Sequence, residues 1–324
     1  MRIAIVRLSS MGDIAQTMVV TQFIRSNYPN SIIDWYVDND FIDIVQANPD
    51  IDNVFSVSFR SFKRAKKNFI DIFKQLLSFN NNYDILIDYQ GLLKSAIVSR
   101  FIKAKKRIGY SKKSCREPLA SFFYNSSYEI PYKKNVYIRY TELTSKALDI
   151  EISNKSIENR KQYLFVENPP VVSDPKIGIF VGASKKEKMY SIDRYVELIN
   201  KLDQSFLLIH GSKSEEIIAK KIKSLTKNKN VSISKRLSLL QLVQEISALK
   251  VLIGSDTGPL HLAWALKIPS LVLFGPTESA RVFFPTNINK AIDINIEDQY
   301  EYMSIIDIKS SHIINIMKKI GVVQ

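Results

Sequence analysis

The sequence predicts an α/β protein built from two doubly wound, Rossmann-like domains in tandem. Three observations predict it. Short apolar runs of strand length alternate with longer amphipathic segments in both halves of the chain, as a parallel sheet covered by helices on both faces requires. A cluster of turn residues, Asn168-Pro-Pro with Asp174-Pro, interrupts that alternation near the middle. Each half also holds a strand-to-helix turn, Arg7–Ile14 and Val251–His261, of the kind that places ligands at the carboxyl edge of an open α/β sheet. The expected boundaries are 1–165, 172–303 and a terminal helix over 304–324 that could pack back on the first domain, with a cleft between the two facing sheet edges.

The elements follow in order. Ile3–Leu8 reads as the first strand, then a helix from about Ile14 to Ser26, strands at Ile32–Val37 and Val54–Val57, and a long amphipathic helix from Ser61 to Phe79. Asp84–Asp88 is a strand, a helix starts after Gly91, Arg107–Tyr110 is a strand, and a helix covers Ile138–Leu148 before the polar stretch Ile152–Arg160. The second alternation runs from strand Ile177–Val181 through helix Ile192–Leu202, strand Phe206–His210, and helices near Glu215–Ser224 and Ser238–Ala248. Strand Val251–Ile253, a short helix, a further strand before Phe274-Gly-Pro-Thr277 and a last helix over Ser304–Lys319 complete it.

Composition bounds the function. The 324 residues are 45% hydrophobic, enough for two buried cores, and no apolar run approaches a membrane span. The opening Met1–Arg7 is too short an apolar stretch for a signal peptide and reads as a strand. One cysteine, Cys115, excludes an internal disulfide and a cysteine-based zinc site and fits a cytoplasmic protein. The three histidines, His210, His261 and His312, are too dispersed for a histidine-rich metal centre. The net charge of +14 is uneven: from Arg60 to Arg116 there are 15 Lys/Arg against three Asp/Glu, a net of +12 that leaves +2 for the remainder. Such a patch implies an anionic partner, with nucleic acid, anionic lipid and a phosphorylated substrate all open, or else a solvated basic face.

The second turn carries the clearest chemistry. Gly254 and Gly258 allow a tight turn, and Pro259 suits a first helical position. The N–H groups of Thr257, Gly258 and Leu260 at the positive helix end would hold a diphosphate, with His261 adding a donor. Asp256 as an N-cap and His261 as a core histidine are the plain alternative. Asp256-Thr-Gly occurs once and leads into a helix, so it is not an aspartic-protease dyad. In the first turn, Arg7-Leu-Ser-Ser-Met-Gly-Asp13, a carboxylate stands at a helix start. Neither turn is a G-x-G-x-x-G fingerprint or a Walker A loop.

Taken with Ile87-Asp-Tyr-Gln-Gly-Leu-Leu-Lys-Ser95, Arg116-Glu-Pro-Leu-Ala-Ser-Phe-Phe-Tyr-Asn125, Glu187-Lys-Met-Tyr190, Gly211–Glu216 and Phe274-Gly-Pro-Thr277, these turns resemble the lipopolysaccharide heptosyltransferases over nearly the whole chain. The Ser-Ser-Met-Gly-Asp and Arg-Glu-Pro-Leu-Ala-Ser segments are similar to the first rather than the second heptosyltransferases of that family. The resemblance implies a GT-B fold and inverting transfer of heptose from ADP-heptose to the inner Kdo of Kdo-lipid A. It implies a monomer on the inner face of the inner membrane, using an anionic membrane surface and no cofactor, metal or nucleic acid. Asp13 matches the general base, and Ser184, Lys188, Thr257, Gly258 and His261 match the diphosphate site. Glu215 matches the ribose contact and Asp256 the sugar–diphosphate end. Ser10, Gly12, Arg60, Arg64 and Arg116 fall to the acceptor, and dispersed lysines such as Lys105 and Lys106 to the bilayer.

The chain departs from the family at two points. Met189-Tyr190-Ser191 stands where His-Trp-Pro is common, keeping an aromatic contact in type only, and Ala183 replaces a hydroxyl residue whose role Lys185 or Lys186 could take. Two other readings compete. A nucleic-acid-binding protein would use the basic 60–116 segment, but Phe62, Phe69 and Phe73 are spaced for a buried helix face. A sugar-nucleotide epimerase lacks its glycine fingerprint and Tyr-x-x-x-Lys pair here.

Overall fold

The computed structural model describes residues 1–57, 74–167, 173–296 and 304–324. The chain forms two compact units, Met1–Phe165 and Val166–Gln324. The expected helix over Ser61–Phe79 falls mostly outside the described residues, as do Arg60 and Arg64; residues 74–77 are helical.

In the first unit, β1 (Arg2–Val6), β2 (Ile32–Asp38), β3 (Asn53–Val57), β4 (Asn82–Asp88), β5 (Lys103–Tyr110) and β6 (Ser126–Tyr128) form one sheet in the order β3-β2-β1-β4-β5-β6, every pair parallel. In the second, β7 (Ile177–Phe180), β8 (Phe206–Ile209), β9 (Val231–Ile233), β10 (Val251–Ser255), β11 (Ser270–Phe274) and β12 (Asn289–Asp293) run β12-β11-β10-β7-β8-β9, again all parallel. The winding is the same in both. The first strand lies between the second and the fourth, so chain direction reverses at β1/β4 and at β7/β10, where open sheets form a crevice beyond their carboxyl ends. Central strands are buried on both faces, which is why Ile3–Val6 and Ile177–Phe180 are continuously apolar apart from a glycine.

Two helices fill the place of the single one expected over 14–26: α1 (Met11–Thr17) and α2 (Val19–Asn27), joined at Met18. Thr17 Oγ1 donates to the Asp13 carbonyl at 2.7 Å and Thr21 Oγ1 to the Met18 carbonyl at 2.8 Å, hydroxyl bonds that compete with the helical ladder on both sides of the break. Farther on, α3 (Leu93–Phe101) and α4 (Val136–Leu148) complete the longer helices of the first unit. The second contains α5 (Ile192–Asn200), α6 (Lys213–Leu225), α7 (Leu239–Ser247), α8 (Gly258–Ala265) and α9 (Ser310–Lys319).

One sequence expectation is corrected. β5 starts at Lys103, not Arg107, because its charged first half lies at an edge left in water. The terminal helix contributes to the second core. Ile313 and Met317 of α9 are fully buried in the second core, and α9 packs on α5. Tyr190 Oη donates to the Ile308 carbonyl at 2.5 Å, and Ser310 Oγ to Glu197 Oε1 at 2.7 Å. With Lys201 2.7 Å from the same carboxylate and Arg194 2.9 Å from its other oxygen, Glu197 is held down to about 2.

Candidate active site

At the first switch point the turn after β1 is cross-tied to the turn after β4. Leu8 N donates to Gln90 Oε1 at 2.8 Å, Arg7 Nη1 to the Tyr89 carbonyl at 2.8 Å, and Lys94 Nζ to Ser9 Oγ at 2.8 Å. Asp13 occupies the third position of α1, not its N-cap; Ser10 is the N-cap, and Gly12 is buried between them. Ser10 N and Ser10 Oγ both donate to Asp13 Oδ2, at 3.0 and 2.8 Å, and Arg7 Nη2 reaches Oδ1 at 2.7 Å. Arg7 is 7% exposed while Asp13 is 40% exposed, so a buried cation holds a half-exposed carboxylate. The Arg7 guanidinium also lies over the Tyr140 ring, 5.4 Å from its centroid.

The β4 turn is built to hold this edge still. Asp88 is buried and accepts from Gln90 N and from Tyr124 Oη, each at 2.8 Å; burial pushes its carboxyl up and these bonds oppose the shift. Gly91 has φ +62°, and a side chain there would also crowd the Tyr110 ring. Glu117 Oε2 accepts from Leu93 N at 2.6 Å at the start of α3, and Glu117 N donates to the Gly91 carbonyl at 3.3 Å. Arg116, exposed and next to Glu117, is thereby brought to the same edge as Asp13. Sequence reasoning quoted these motifs without finding what Arg7, Gln90, Lys94 and Glu117 do, because each acts on a partner far away in sequence.

Two described members of the basic stretch serve other ends. Arg107 donates to the carbonyls of Ser99 and Ile102, at 2.7 and 2.9 Å, closing the carboxyl end of α3. Lys105 is paired with Asp84 at 2.8 Å. Lys105 and Lys106 stand in the first half of β5, at the sheet edge opposite Asp13.

At the second switch point Lys188, in a 3₁₀ turn after β7, meets Asp256, just after β10: Nζ to Oδ2 is 2.7 Å. His261 Nε2 lies 3.7 Å from Asp256 Oδ1. All three side chains are largely buried. Burial alone would raise the Asp256 carboxyl, but His261 and Lys188 hold it down to about 2. The N-cap of α8 is Thr257 rather than Asp256, with Gly258 and Pro259 as the first helical residues, so the leading N–H groups of α8 follow directly on the Lys188–Asp256 pair. His261 is 6% exposed and turned toward Asp256, joining the buried histidine to the ionic cluster.

Glu215 takes the third position of α6 and accepts from Gly211 N and Ser212 N at 2.6 and 3.1 Å. Its carboxylate rests against Gly182, where any Cβ would collide with it; this close approach joins the loop after β8 to the loop after β7. Ser184 is exposed two residues beyond Gly182. Lys185, one of the two candidates to replace the hydroxyl lost at Ala183, is paired with Glu187 at 3.3 Å.

Three readings are corrected. Gly254 lies within β10 with ordinary backbone, and glycine is needed because a Cβ would come 2.9 Å from the Phe180 carbonyl. Gly258 is helical, and the left-handed glycines among the described residues are Gly91 and Gly321. Tyr190 offers no aromatic face to the site; it is 3% exposed, edge-on to Tyr195 in the core.

Two Rossmann-wound units, with a carboxylate at one switch point and a cation beside a helix N-terminus at the other, define a GT-B glycosyltransferase. The family model of glycosyltransferase family 9 (heptosyltransferase) matches residues 71–306, and the chain belongs to that family. It is 36% identical over 311 residues to lipopolysaccharide heptosyltransferase 1 of Campylobacter coli, covering 90% of this chain and 89% of that protein. The same-named protein of Salmonella typhimurium is 30% identical over 287 residues, 86% of this chain and 89% of that one. The fold superposes on Escherichia coli heptosyltransferase WaaC with ADP at a TM-score of 0.84, with 23% identity, over 99% of this chain and 100% of that one.

Proposed function

We propose that the chain moves L-glycero-D-manno-heptose from ADP-heptose to the inner Kdo of Kdo-lipid A, with inversion, in lipopolysaccharide core biosynthesis. The observation that carries this reading is the contrast between the two switch points: a half-exposed carboxylate in the first unit and the Lys188–Asp256–His261 cluster beside the start of α8 in the second. Its closest support outside the geometry is the name shared by the two relatives above.

In this reading Asp13 accepts the proton of the acceptor hydroxyl as that oxygen bonds to the anomeric carbon of the donor. The bond from that carbon to the diphosphate oxygen breaks in the same step, and ADP leaves with its added negative charge. Lys188, His261, Ser184 and the N–H groups of Thr257 and Gly258 stabilise that charge, most strongly in the transition state. No metal is required, since a lysine and a helix N-terminus do the work of a divalent cation. Asp256 holds Lys188 in place until the diphosphate competes for it, and Glu215 accepts from the ribose hydroxyls. Arg116 in the described residues, with Arg60 and Arg64 outside them, receives the anionic groups of the acceptor beside Ser10 and Gly12.

The enzyme works as a monomer, peripheral to the cytoplasmic face of the inner membrane. No helix among the described residues is long and apolar enough to cross a bilayer. Mass spectrometry of the lipid A–core from cells lacking this protein tests the reading. A core cut just after Kdo is expected; an intact core would refute it.

A further inference from the structure

Residues Pro118–Phe123 form a 3₁₀ turn that rides on α3. With three residues per turn, side chains three apart lie on one face. Ala120 and Phe123 form the inner face, the first fully buried and the second half-buried. Leu119 and Phe122 form the outer face and are 60% and 72% exposed, Phe122 being the most exposed large apolar side chain among the described residues. Two large apolar side chains stacked on one face in water are costly and do nothing for the core.

The setting is specific. The bonds of Glu117 to Leu93 N and to the Gly91 carbonyl moor the turn at the carboxyl edge of the first sheet, the edge that carries Asp13. The loops after β5 and β6 leave the same edge and expose Lys112, Lys113 and Lys133. Ile130 N donates to Ser114 Oγ at 2.8 Å, and Arg139 donates to the carbonyls of both Ser114 and Tyr132, so the two lysine-bearing loops are fastened together. Of the acids nearby, Glu117 is committed to the start of α3, and Glu129 is 3.9 Å from Lys113.

We propose that the Pro118–Phe123 turn is a membrane contact: Leu119 and Phe122 enter the interfacial layer of an anionic bilayer while Lys112, Lys113 and Lys133 lie against its headgroup phosphates. Exposed apolar residues flanked by lysines are the chemistry that such a surface recognises, and lysines near it add attraction that salt screens. The occupant is the bilayer rather than another protein because the proposed acceptor is itself anchored there, and in that respect the inference rests on the functional reading above. It also moves the membrane contact from Lys105 and Lys106, at the opposite sheet edge, to the acceptor side.

The test is sedimentation of the full chain with vesicles of phosphatidylethanolamine and phosphatidylglycerol. Leu119→Ser with Phe122→Ser should lower binding by about tenfold or more, as expected for withdrawing two large apolar side chains. Lys105→Ser with Lys106→Ser should change it by less than the apolar pair does. Transfer to a soluble, delipidated acceptor should be unchanged in the apolar double variant. In a Phe122→Trp variant, vesicles should shift the new indole emission to the blue and brominated lipids should quench it. Wild-type failure to bind these vesicles, retention of binding in the apolar variant, or an unquenched indole would each overturn the proposal. So would normal vesicle binding with a raised KM only for the lipid-bearing acceptor, which would assign the turn to the acceptor's acyl chains. Because sedimentation and quenching do not depend on turnover, a chain that binds vesicles but transfers no heptose would fail the functional reading and leave the membrane contact standing.

Discussion

Arg7 Nη2 and Asp13 Oδ1 are 2.7 Å apart, a buried guanidinium locked onto a half-exposed carboxylate. The guanidinium's other arm, Nη1, is held by the Tyr89 carbonyl, so the pair ties the carboxylate to the end of β4 as well as β1. Removing Arg7 therefore takes away one of the restraints on the Asp13 carboxylate, the one on Oδ1. Arg7→Met should lower kcat by about 10-fold or more, on the scale of a misplaced catalytic group, while the donor KM stays near wild type. Arg7→Lys should restore part of kcat, because one donor still reaches the carboxylate. Steady-state kinetics with both variants check this; an unchanged kcat in Arg7→Met would show that Arg7 does not orient Asp13.

In the proposed reaction Lys188 and Asp256 receive the leaving diphosphate. On that proposal Lys188→Ala should raise the donor KM and lower kcat together, as expected of a cation used both in binding and in the transition state. Turnover should survive EDTA. Activity abolished by chelation and restored by a divalent cation would contradict the role given to Lys188.

Arg116 sits at the Asp13 edge of the first unit, whereas the Lys188–Asp256–His261 cluster belongs to the second. Arg116→Ala should raise the acceptor KM and leave ADP binding by calorimetry unchanged. Loss of ADP binding instead would place the residue with the donor.

The terminal helix gives a prediction in pH. Glu197 is lowered from its usual 4.5 to about 2, chiefly by Lys201, with Ser310 and Arg194 adding to it. A carboxylate depressed by folding contributes stability that is complete above its unfolded value and is lost as pH falls through the folded one. Anchoring of α9 should therefore weaken between about pH 4.5 and about pH 2. The protection factors of residues 310–319 against hydrogen exchange should fall over that window in the wild type, and Glu197→Gln should show the lower protection already at neutral pH.

Much of the fold is legible in the sequence because buried parallel strands are continuous apolar runs, as in Ile3–Val6 and Val251–Ile253. The short edge strands are not: Ser126–Tyr128 and Val231–Ile233 have three residues each, and their pairing is decided by neighbours. In the site, Asp13 and Asp256 stand out because carboxylates at strand-to-helix turns are chemically pointed. Arg7 does not, since a basic residue after a strand reads as ordinary surface until the fold buries it. Gly254 and Gly258 look like turn glycines, yet one is fixed by strand packing and the other is helical. Tyr190 shows the same limit: the family resemblance implies an aromatic contact kept in type only, but its hydroxyl anchors the terminal segment.

The most direct test of the account is single-turnover transfer by wild type and Asp13→Asn, with ADP-heptose and a delipidated Kdo acceptor, read by mass spectrometry. Asn keeps the size of the side chain but leaves the buried Arg7 guanidinium without its counter-ion, so fold stability should fall by about 3 kcal/mol, and ADP binding is measured alongside transfer to show that the variant is folded. The wild type should add one heptose, and the variant should bind ADP normally yet react about 10²–10⁴-fold more slowly. A variant that transfers heptose at the wild-type rate would reduce Asp13 to a helix-capping residue and contradict the account at its centre.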